Sequence, residues 1–314
     1  MTAFADRLSD ACRKTGSVAV VGLDPRFEQL PAPLTQGIDP KNRRAVAEAY
    51  AKFGCEIIDV VAKLVPAVKP QMAFYEQLGL EGMQALKTIT DHARAAGLLV
   101  ILDGKRGDIG TTAEAYADGL LGAESPWGGD ALTVNPYLGN DSLEPFVKTA
   151  VARHAGLFVL VKTSNLGSGQ FQDRPFADGG SATCSSTLYR LVANEVERMS
   201  VETKTHCGYG AVGAVVGATY PQQMTELRAA MPHTIFLVPG YGSQGGTAKD
   251  CAAAFDANGL GAVVNNSRGI IFAHAKKPYA EQFGAAGWQR AVEAATVAMN
   301  DELRAETTVG KLKA

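Results

Sequence analysis

The stretch LLVILDGKRGD, residues 98–108, runs from five consecutive apolar side chains directly into four charged ones. An unbroken apolar run, as opposed to an alternating one, is typical of a parallel strand that is buried on both faces. Ionised side chains rarely enter a protein core unless they are paired or needed for function. The stretch therefore predicts a buried strand whose carboxyl end carries a cluster of charges.

Seven further runs of this kind lie between residues 18 and 267, each bounded by Gly, Pro, Asn or Ser. Helical periodicity fills most of the gaps: before the second run, Val46, Tyr50, Phe53 and Ile57 recur at steps of three and four. Eight strand–helix alternations favour an α/β protein with a (β/α)8 TIM barrel over an open doubly wound sheet. The predicted strands are residues 18–24, 64–70, 98–105, 131–136, 157–164, 214–219, 235–240 and 262–267.

A length of 314 residues is compatible with one barrel. We expect residues 1–314 to form a single domain, with a short amphipathic helix before the first strand and a charged tail from about residue 300. One segment, residues 164–184, is rich in Gly, Ser and Asp and is longer than an ordinary connector. Its length is typical of an active-site loop.

The composition argues against several functional classes. The formal net charge is −2, so the chain has no overall basic footprint for nucleic acid. No apolar run is long enough to span a membrane, and the amino terminus lacks the apolar segment of a signal peptide. The five cysteines are scattered without metal-ligand spacing. We therefore expect a cytoplasmic protein with free thiols.

The charge cluster of the third strand has a regular arrangement. Asp103 and Lys105 are two residues apart, so their side chains leave the strand on the same face, at the end where barrels carry active sites. Asp108 follows in the next loop, and Lys69 ends the second strand. An alternating chain of these lysines and aspartates keeps all four charged and Lys105 protonated, ready to donate a proton. An ion network that only closes the barrel end is the alternative interpretation.

Two glycine-containing stretches follow the last two strands: VPGYGSQGG, residues 238–246, and NNSRGI, residues 265–270. Loops at these positions of a barrel commonly bind phosphate through backbone N–H groups. Gly245 offers such a group, Gln244 an amide donor and Arg268 a guanidinium that can bind in a bidentate manner. The sequence thus predicts a phosphate site on this side of the barrel mouth.

Further polar residues end the first and fifth strands. Asp24, in GLDPR, can accept a hydrogen bond from a sugar hydroxyl or can simply begin a turn. Lys162, Thr163, Ser164 and Asn165 can hydrogen-bond a polar ring. None of the five histidines ends a predicted strand, and no paired ligand spacing occurs, so we do not expect a metal site.

Together these motifs resemble the orotidine 5′-monophosphate decarboxylase family in its longer bacterial form. The resemblance implies a homodimeric barrel that converts orotidine 5′-monophosphate to uridine 5′-monophosphate and CO₂ in pyrimidine biosynthesis, without a metal or an organic cofactor. The matching segments occur in order over about residues 3–275: FAxRL, GLDP, KPQxAFYE, LDGKRGDIGTTAxAYA, TVNPYLG, VKTSN, PGYGxQGG and NNSRGI.

Residue roles follow from the same resemblance. Lys105 is similar to the general acid that protonates C6, and Asp103 and Asp108 are similar to its neighbours, the latter contributed across the dimer interface. Lys69 resembles the lysine that completes the charge chain and touches the ribose. The other roles implied are ribose binding by Asp24, contact from the partner subunit by Thr112, phosphate binding by Gln244 and Arg268, and pyrimidine recognition among Thr163, Ser164 and Asn165.

Three other functions fit parts of the pattern. A metal-dependent relative that acts on sugar phosphates also carries DxKxxD at a strand end, but it has an acidic metal ligand where this chain has Lys69. A Schiff-base lyase needs a lysine of lowered pKa, whereas carboxylates beside Lys69 and Lys105 raise the pKa. A non-catalytic nucleotide-binding barrel would bind uridine 5′-monophosphate without turning over its orotate analogue.

Overall fold

A computed structural model describes residues 2–177, 185–242 and 244–312 of the chain. The strands in this part are β1 (Ala19–Leu23), β2 (Ala67–Pro70), β3 (Leu99–Arg106), β4 (Ala131–Val134), β5 (Gly156–Lys162), β6 (Pro175–Ala177), β7 (Ser185–Thr187), β8 (Val212–Val216), β9 (Phe236–Val238) and β10 (Ala262–Asn266). All but β6 and β7 are parallel and close into a barrel in the order β1–β2–β3–β4–β5–β8–β9–β10. The predicted single-domain (β/α)8 barrel is confirmed.

Helices connect the barrel strands and cover the outside of the barrel. None of the helices in the described residues is both long and apolar enough to cross a membrane. The helices are α1 (Phe4–Thr15), α2 (Ala32–Thr35), α3 (Arg43–Val61), α4 (Ala73–Glu76), α5 (Leu80–Ala95), α6 (Gly110–Leu120), α7 (Asn140–Ala152), α8 (Gly169–Gln172), α9 (Leu188–Glu202), α10 (Pro221–Ala230), α11 (Ala248–Cys251), α12 (Arg268–Ile271), α13 (Tyr279–Phe283) and α14 (Trp288–Glu306).

The apolar runs that predicted the strands form the core. Every residue of β1, β2, β4, β8, β9 and β10 is buried, as expected for parallel strands enclosed by helices. Strand β3 is buried from Leu99 to Asp103 and then emerges at the barrel mouth. The predicted sixth strand, residues 214–219, is displaced: β8 starts at Val212, and the backbone N–H of Gly217 already bonds to the Lys162 carbonyl beyond its end.

The long segment after β5 leaves the barrel and returns to it. It contains α8 and the antiparallel pair β6–β7, in which Phe176 is opposite Ser186. The backbone N–H of Leu188 bonds to the carbonyl of Arg174, so the two ends of the segment lie together. Part of the predicted active-site loop, residues 178–184, lies outside the described residues.

Helix α1 covers the amino-terminal end of the barrel. Its first residue, Phe4, is buried and meets Phe158 of β5 edge to face, with ring centroids 6.1 Å apart. Gly156 leaves room for this ring, because a Cβ atom there would lie 2.1 Å from Phe4 Cδ1. The predicted amino-terminal helix therefore contributes to the core.

The carboxyl end differs from the expected charged tail from about residue 300. Helix α14 continues to Glu306 and places Leu303 in the core. After the helix, Val309 is buried as well, and the Thr308 hydroxyl donates to the carbonyl of Asp256. The charged side chains between residues 301 and 311 are exposed, while Leu303 and Val309, six residues apart, pack inward.

Candidate active site

A cavity of about 600 Å³ opens at the end of the barrel where the strands have their carboxyl termini. This is the end at which barrel enzymes carry out their chemistry. Of the predicted site residues, the structure brings nine together in the cavity wall: Asp24, Lys69, Asp103, Lys105, Thr163, Ser164, Asn165, Gln244 and Arg268.

Asp103 is the centre of a charge cluster on the β2–β3–β4 side of the cavity. Its Oδ2 atom lies 2.6 Å from Lys69 Nζ, and its Oδ1 atom lies 2.5 Å from Lys105 Nζ. The Gln71 amide donates to Oδ2 at 3.0 Å and the Thr133 hydroxyl to Oδ1 at 2.9 Å. Both carboxylate oxygens are therefore saturated, and the carboxylate is fixed between two cations.

The pKa values in this cluster reflect competition between burial and charge. Burial by itself would raise the pKa of Asp103, but the attraction of Lys69 and Lys105 outweighs it and holds that pKa below its usual value. Burial would lower the pKa of Lys69, but the carboxylates of Asp103 and Asp24 outweigh that effect and raise it. Asp103 and Lys69 are therefore both charged at neutral pH.

Lys105 reaches its place through an irregularity in β3. The pairing of β3 with β4 shifts register between Leu102 and Arg106, and Lys105 has a φ of +47°, which is uncommon for a residue other than glycine. Its backbone N–H bonds to Thr133 Oγ1 at 2.9 Å and helps to hold this conformation. Such backbone strain is common at functional sites. The Lys105 side chain is 46% exposed whereas that of Lys69 is 5% exposed, so Lys105 is the more accessible of the two lysines in the cavity wall.

Of the four charged residues predicted to alternate, only Lys69, Asp103 and Lys105 lie together within one chain. Asp108 does not line the cavity, and its Oδ1 accepts from the backbone N–H of Ile109 at 2.8 Å. Within the described residues its carboxylate is in no ion pair. Thr112 and Gly245 also lie outside the cavity wall. Asp108 and Thr112 lie outside the cavity because the chain turns away from the barrel mouth at the end of β3 and enters α6.

Unsatisfied polar atoms lie on the β1 and β10 side of the cavity. Among the described residues, Asp24 Oδ1 and Asn265 Oδ1 are buried and have no hydrogen-bond partner. Both side chains line the cavity. Buried acceptors without a partner are costly in a folded protein unless a ligand or a water satisfies them. This side of the cavity therefore fits a ligand with hydroxyl or N–H groups.

Several cavity residues were not predicted. Gln71, Thr133 and Asn265 lie at or just after the carboxyl ends of β2, β4 and β10, so their position on the strands could have indicated them. Arg26 and Tyr241 come from the loops that follow β1 and β9. Gln172 also lines the wall; it lies in residues 164–184, whose length indicated an active-site loop, but nothing in the sequence singled out this residue.

Arg106, for which the sequence indicated no role, stabilises the end of β3 through three contacts. Its guanidinium pairs with Glu76 of α4 and donates to the carbonyl of Gly104 at 3.1 Å. It also lies over the Tyr116 ring of α6, 5.7 Å from the centroid. Arg106 therefore connects the irregular strand end to helices on both sides of it.

In the part of the chain that the structure describes, no group of three or more His, Cys, Asp or Glu side chains is arranged to hold a metal ion.

Comparison with known proteins shows which family the chain belongs to. The model of the "Orotidine 5'-phosphate decarboxylase / HUMPS family" matches residues 32–283. A protein of Rhodopirellula baltica named orotidine 5′-phosphate decarboxylase is 56% identical over 308 residues, which are 97% of this chain and 100% of that protein. The chain belongs to the orotidine 5′-phosphate decarboxylase family. The family predicted from the sequence motifs is thus confirmed.

Solved structures in this decarboxylase family share the barrel. A putative orotidine 5′-phosphate decarboxylase of Streptomyces avermitilis is 32% identical, with a TM-score of 0.78 over 98% of this chain and 96% of that one. The orotidine 5′-monophosphate decarboxylase of Leishmania donovani is 33% identical, with a TM-score of 0.69 over 94% of this chain and 100% of that one. The family likeness therefore extends over nearly the whole molecule.

Proposed function

We propose that the protein decarboxylates orotidine 5′-monophosphate to uridine 5′-monophosphate and CO₂. Its family membership and its similarity over nearly the full length of a relative with this name support the proposal. The observation that carries it is the Lys69–Asp103–Lys105 cluster, in which a fixed carboxylate holds one buried lysine and a second, more accessible lysine in the cavity wall.

The chemistry requires such a cluster. Loss of CO₂ from C6 leaves a carbanion without a conjugated electron sink, so a fixed cation and a proton source are needed at that carbon. Lys105 provides both: its ammonium group stabilises the developing charge and then delivers a proton to C6. Asp103 keeps the ammonium in place and protonated, and Lys69 neutralises the second oxygen of Asp103.

The remainder of the cavity divides among the parts of the nucleotide. We assign the ribose to Asp24, beside Lys69, because its buried Oδ1 lacks a partner and accepts hydroxyl donors. The phosphate is assigned to Gln244 and Arg268, in the loops after β9 and β10 where barrels commonly bind phosphate. Gly245 is left out, because its backbone N–H donates to the carbonyl of Gly242 at 2.9 Å. Thr163, Ser164 and Asn165, at the end of β5, are assigned to the pyrimidine. Binding energy from the phosphate then contributes to the chemical step.

The proposal includes a homodimer in the cytoplasm. Asp108 and Thr112 reach the active site of the partner subunit, where Asp108 extends the charge chain beside the partner's Lys105. Exposed apolar side chains support this arrangement: Ile109 directly follows Asp108, and Tyr137 and Leu138 follow β4, whose end pairs with the end of β3.

The test follows the loss of orotate absorbance from orotidine 5′-monophosphate with purified protein in excess EDTA. We expect rapid loss with the wild type and a loss at least about a hundredfold slower with Lys105→Ala, since that variant lacks the cation and the proton donor. Lys87→Ala, on the outer surface of α5, is the matched control and retains full activity. No turnover by the wild type, with Mg²⁺-dependent activity on sugar phosphates, would refute the proposal.

A further inference from the structure

Lys162, the last residue of β5, is a buried cation outside the charge cluster described above. Its side chain is 0% exposed, and its Nζ atom lies 2.7 Å from Asp173 Oδ1. The ammonium also lies 4.5 Å from the ring centroid of Tyr220 and 5.7 Å from that of Tyr189. A fully buried ammonium needs a counter-charge, so the pair fixes the position of Asp173 relative to the barrel.

Asp173 directly follows the short helix α8, whose last residue is Gln172. The Gln172 side chain returns to the barrel mouth: its Oε1 accepts from the backbone N–H of Thr163 at 3.0 Å, and its Nε2 donates to Thr163 Oγ1 at 2.8 Å. Thr163 Oγ1 in turn donates to Asn165 Oδ1 at 2.7 Å. All three side chains line the cavity.

Asp173 has a second contact, with the helix α10. Gln223 of α10 donates from Nε2 to Asp173 Oδ1 at 3.0 Å. The carboxylate is thus held from β5 and from α10, on either side of α9 in the chain, while its own backbone belongs to the segment that leaves the barrel. Of the two side chains that hold the Asp173 carboxylate, Lys162 is the one that carries a positive charge.

We propose that Gln172 is a positioning residue for the pyrimidine end of the cavity, and that the Lys162–Asp173 ion pair keeps it there. This inference rests on the proposed function, which assigns Thr163 and its neighbours to the pyrimidine. Gln172 satisfies both the N–H and the hydroxyl of Thr163, so it determines how Thr163 and Asn165 present their remaining polar atoms to the ring. The ion pair acts on the substrate only through Gln172.

The first experiment measures kcat and KM for orotidine 5′-monophosphate with Gln172→Ala, Lys162→Met and the double variant. We expect each single variant to lose about tenfold in kcat/KM, the equivalent of one or two hydrogen bonds, mainly through a higher KM. Residues that act through one another are not additive, so the double variant is expected to match Gln172→Ala. Gln170→Ala, an exposed glutamine on the same helix, is the control and leaves both constants unchanged.

The second experiment identifies which end of the ligand is affected. Uridine 5′-monophosphate and ribose 5-phosphate are used as ligands, because the second lacks the pyrimidine. We expect Gln172→Ala to weaken binding of uridine 5′-monophosphate by about tenfold and to leave that of ribose 5-phosphate unchanged. Equal weakening of both ligands would overturn the assignment to the pyrimidine end.

Other outcomes also decide the matter. Additive losses in the double variant would show that Lys162 acts independently of Gln172 and would overturn the second half of the proposal. If Lys162→Met does not fold, Lys162→Gln replaces it in the cycle, since its amide can still donate a hydrogen bond to Asp173, whose side chain is 40% exposed, without leaving a buried charge. If the wild type binds uridine 5′-monophosphate without decarboxylating the substrate, the proposed function fails while the binding comparison still tests Gln172.

Discussion

Asp103 is a buried side chain on which the structure of the charge cluster depends and to which we assign a part in the proposed chemistry. It is 6% exposed and lies between two ammonium groups, each within 2.6 Å of one of its oxygens. Removing one partner of a buried ion pair leaves an uncompensated charge, which usually costs more than the pair itself contributes. Lys69, which is equally buried, depends on Asp103 for this reason.

We expect Asp103→Asn to lower the free energy of unfolding by about 3–5 kcal/mol at neutral pH and to reduce activity by at least about a hundredfold. The pKa of Asp103 is lowered on folding, so its stabilisation is present above the unfolded pKa of about 4 and is lost as the pH falls below it. Urea unfolding should therefore show a difference between wild type and variant that shrinks below about pH 4.

The matched control is Asp10→Asn, which removes an exposed partner of Arg13 and should change stability by less than about 1 kcal/mol. A difference between wild type and Asp103→Asn that persists undiminished at pH 3 would contradict the assignment of the stabilisation to the Asp103 carboxylate.

For single residues, the sequence predicted which side chains meet better than it predicted the backbone conformation that brings them together. The spacing of two residues between Asp103 and Lys105 correctly placed both side chains on one face of β3, where they meet at 2.5 Å. The register shift and the positive φ of Lys105 were not predictable, because they depend on pairing with β4 and on the Thr133 hydroxyl. Neither interaction is visible in a local pattern.

At the scale of elements, the two ends of the barrel have separate tasks. The carboxyl ends of the strands carry the cavity, whereas α1 packs against the amino-terminal end through Phe4, Ala5 and Leu8, all buried. In barrels, the bottom end serves mainly stability. A change in α1 should therefore affect folding and leave the chemistry intact.

We expect Phe4→Ala to lower the free energy of unfolding by about 3–5 kcal/mol, because it opens a cavity beside Phe158. At temperatures where the variant is folded, kcat and KM for the proposed reaction should equal those of the wild type. Denaturant unfolding and steady-state kinetics on the same preparation check both parts. Leu80→Ala, at a residue 82% exposed on α5, is the control and should change neither quantity appreciably.

A fall in kcat without a change in the amount of folded protein would show instead that α1 influences the mouth of the barrel.

The periodicity of α1 and of α3 made both helices predictable. The packing of the carboxyl end was not, because Val309 is a single apolar residue in a polar segment and its burial depends on the distant chain around Asp256.

At the scale of the whole molecule, one chain leaves the proposed charge chain incomplete. Asp108 lies outside the cavity, and exposed apolar side chains follow the paired ends of β3 and β4: Ile109 is 56% exposed and Tyr137 83% exposed. Large exposed apolar side chains that cluster on a surface are typical of protein interfaces. The sequence predicted the fold of one chain, while the proposed pairing of two chains rests on exposed side chains and on the family resemblance.

A homodimer with shared active sites makes a quantitative prediction about mixed subunits. Lys105→Ala and Asp108→Ala should each be nearly inactive alone, because every site then lacks one of the two side chains. After the two variants are mixed and allowed to exchange subunits, about half of the dimers are mixed. In a two-fold symmetric mixed dimer one of the two sites has both side chains intact. We therefore expect about a quarter of the wild-type activity per subunit, measured after the exchange reaches equilibrium.

The control is a mixture of Lys105→Ala with Asp103→Asn, which should recover nothing, because Asp103 and Lys105 contact each other within one chain and every site of the mixed dimer lacks one of them. Recovery with Asp108→Ala but not with Asp103→Asn would establish that Asp108 acts from the partner subunit. If neither mixture regains activity although analytical ultracentrifugation detects exchanged dimers, Asp108 does not complete the neighbouring site. The charge chain would then end at Lys105, and Lys105 would have to be held by Asp103 alone.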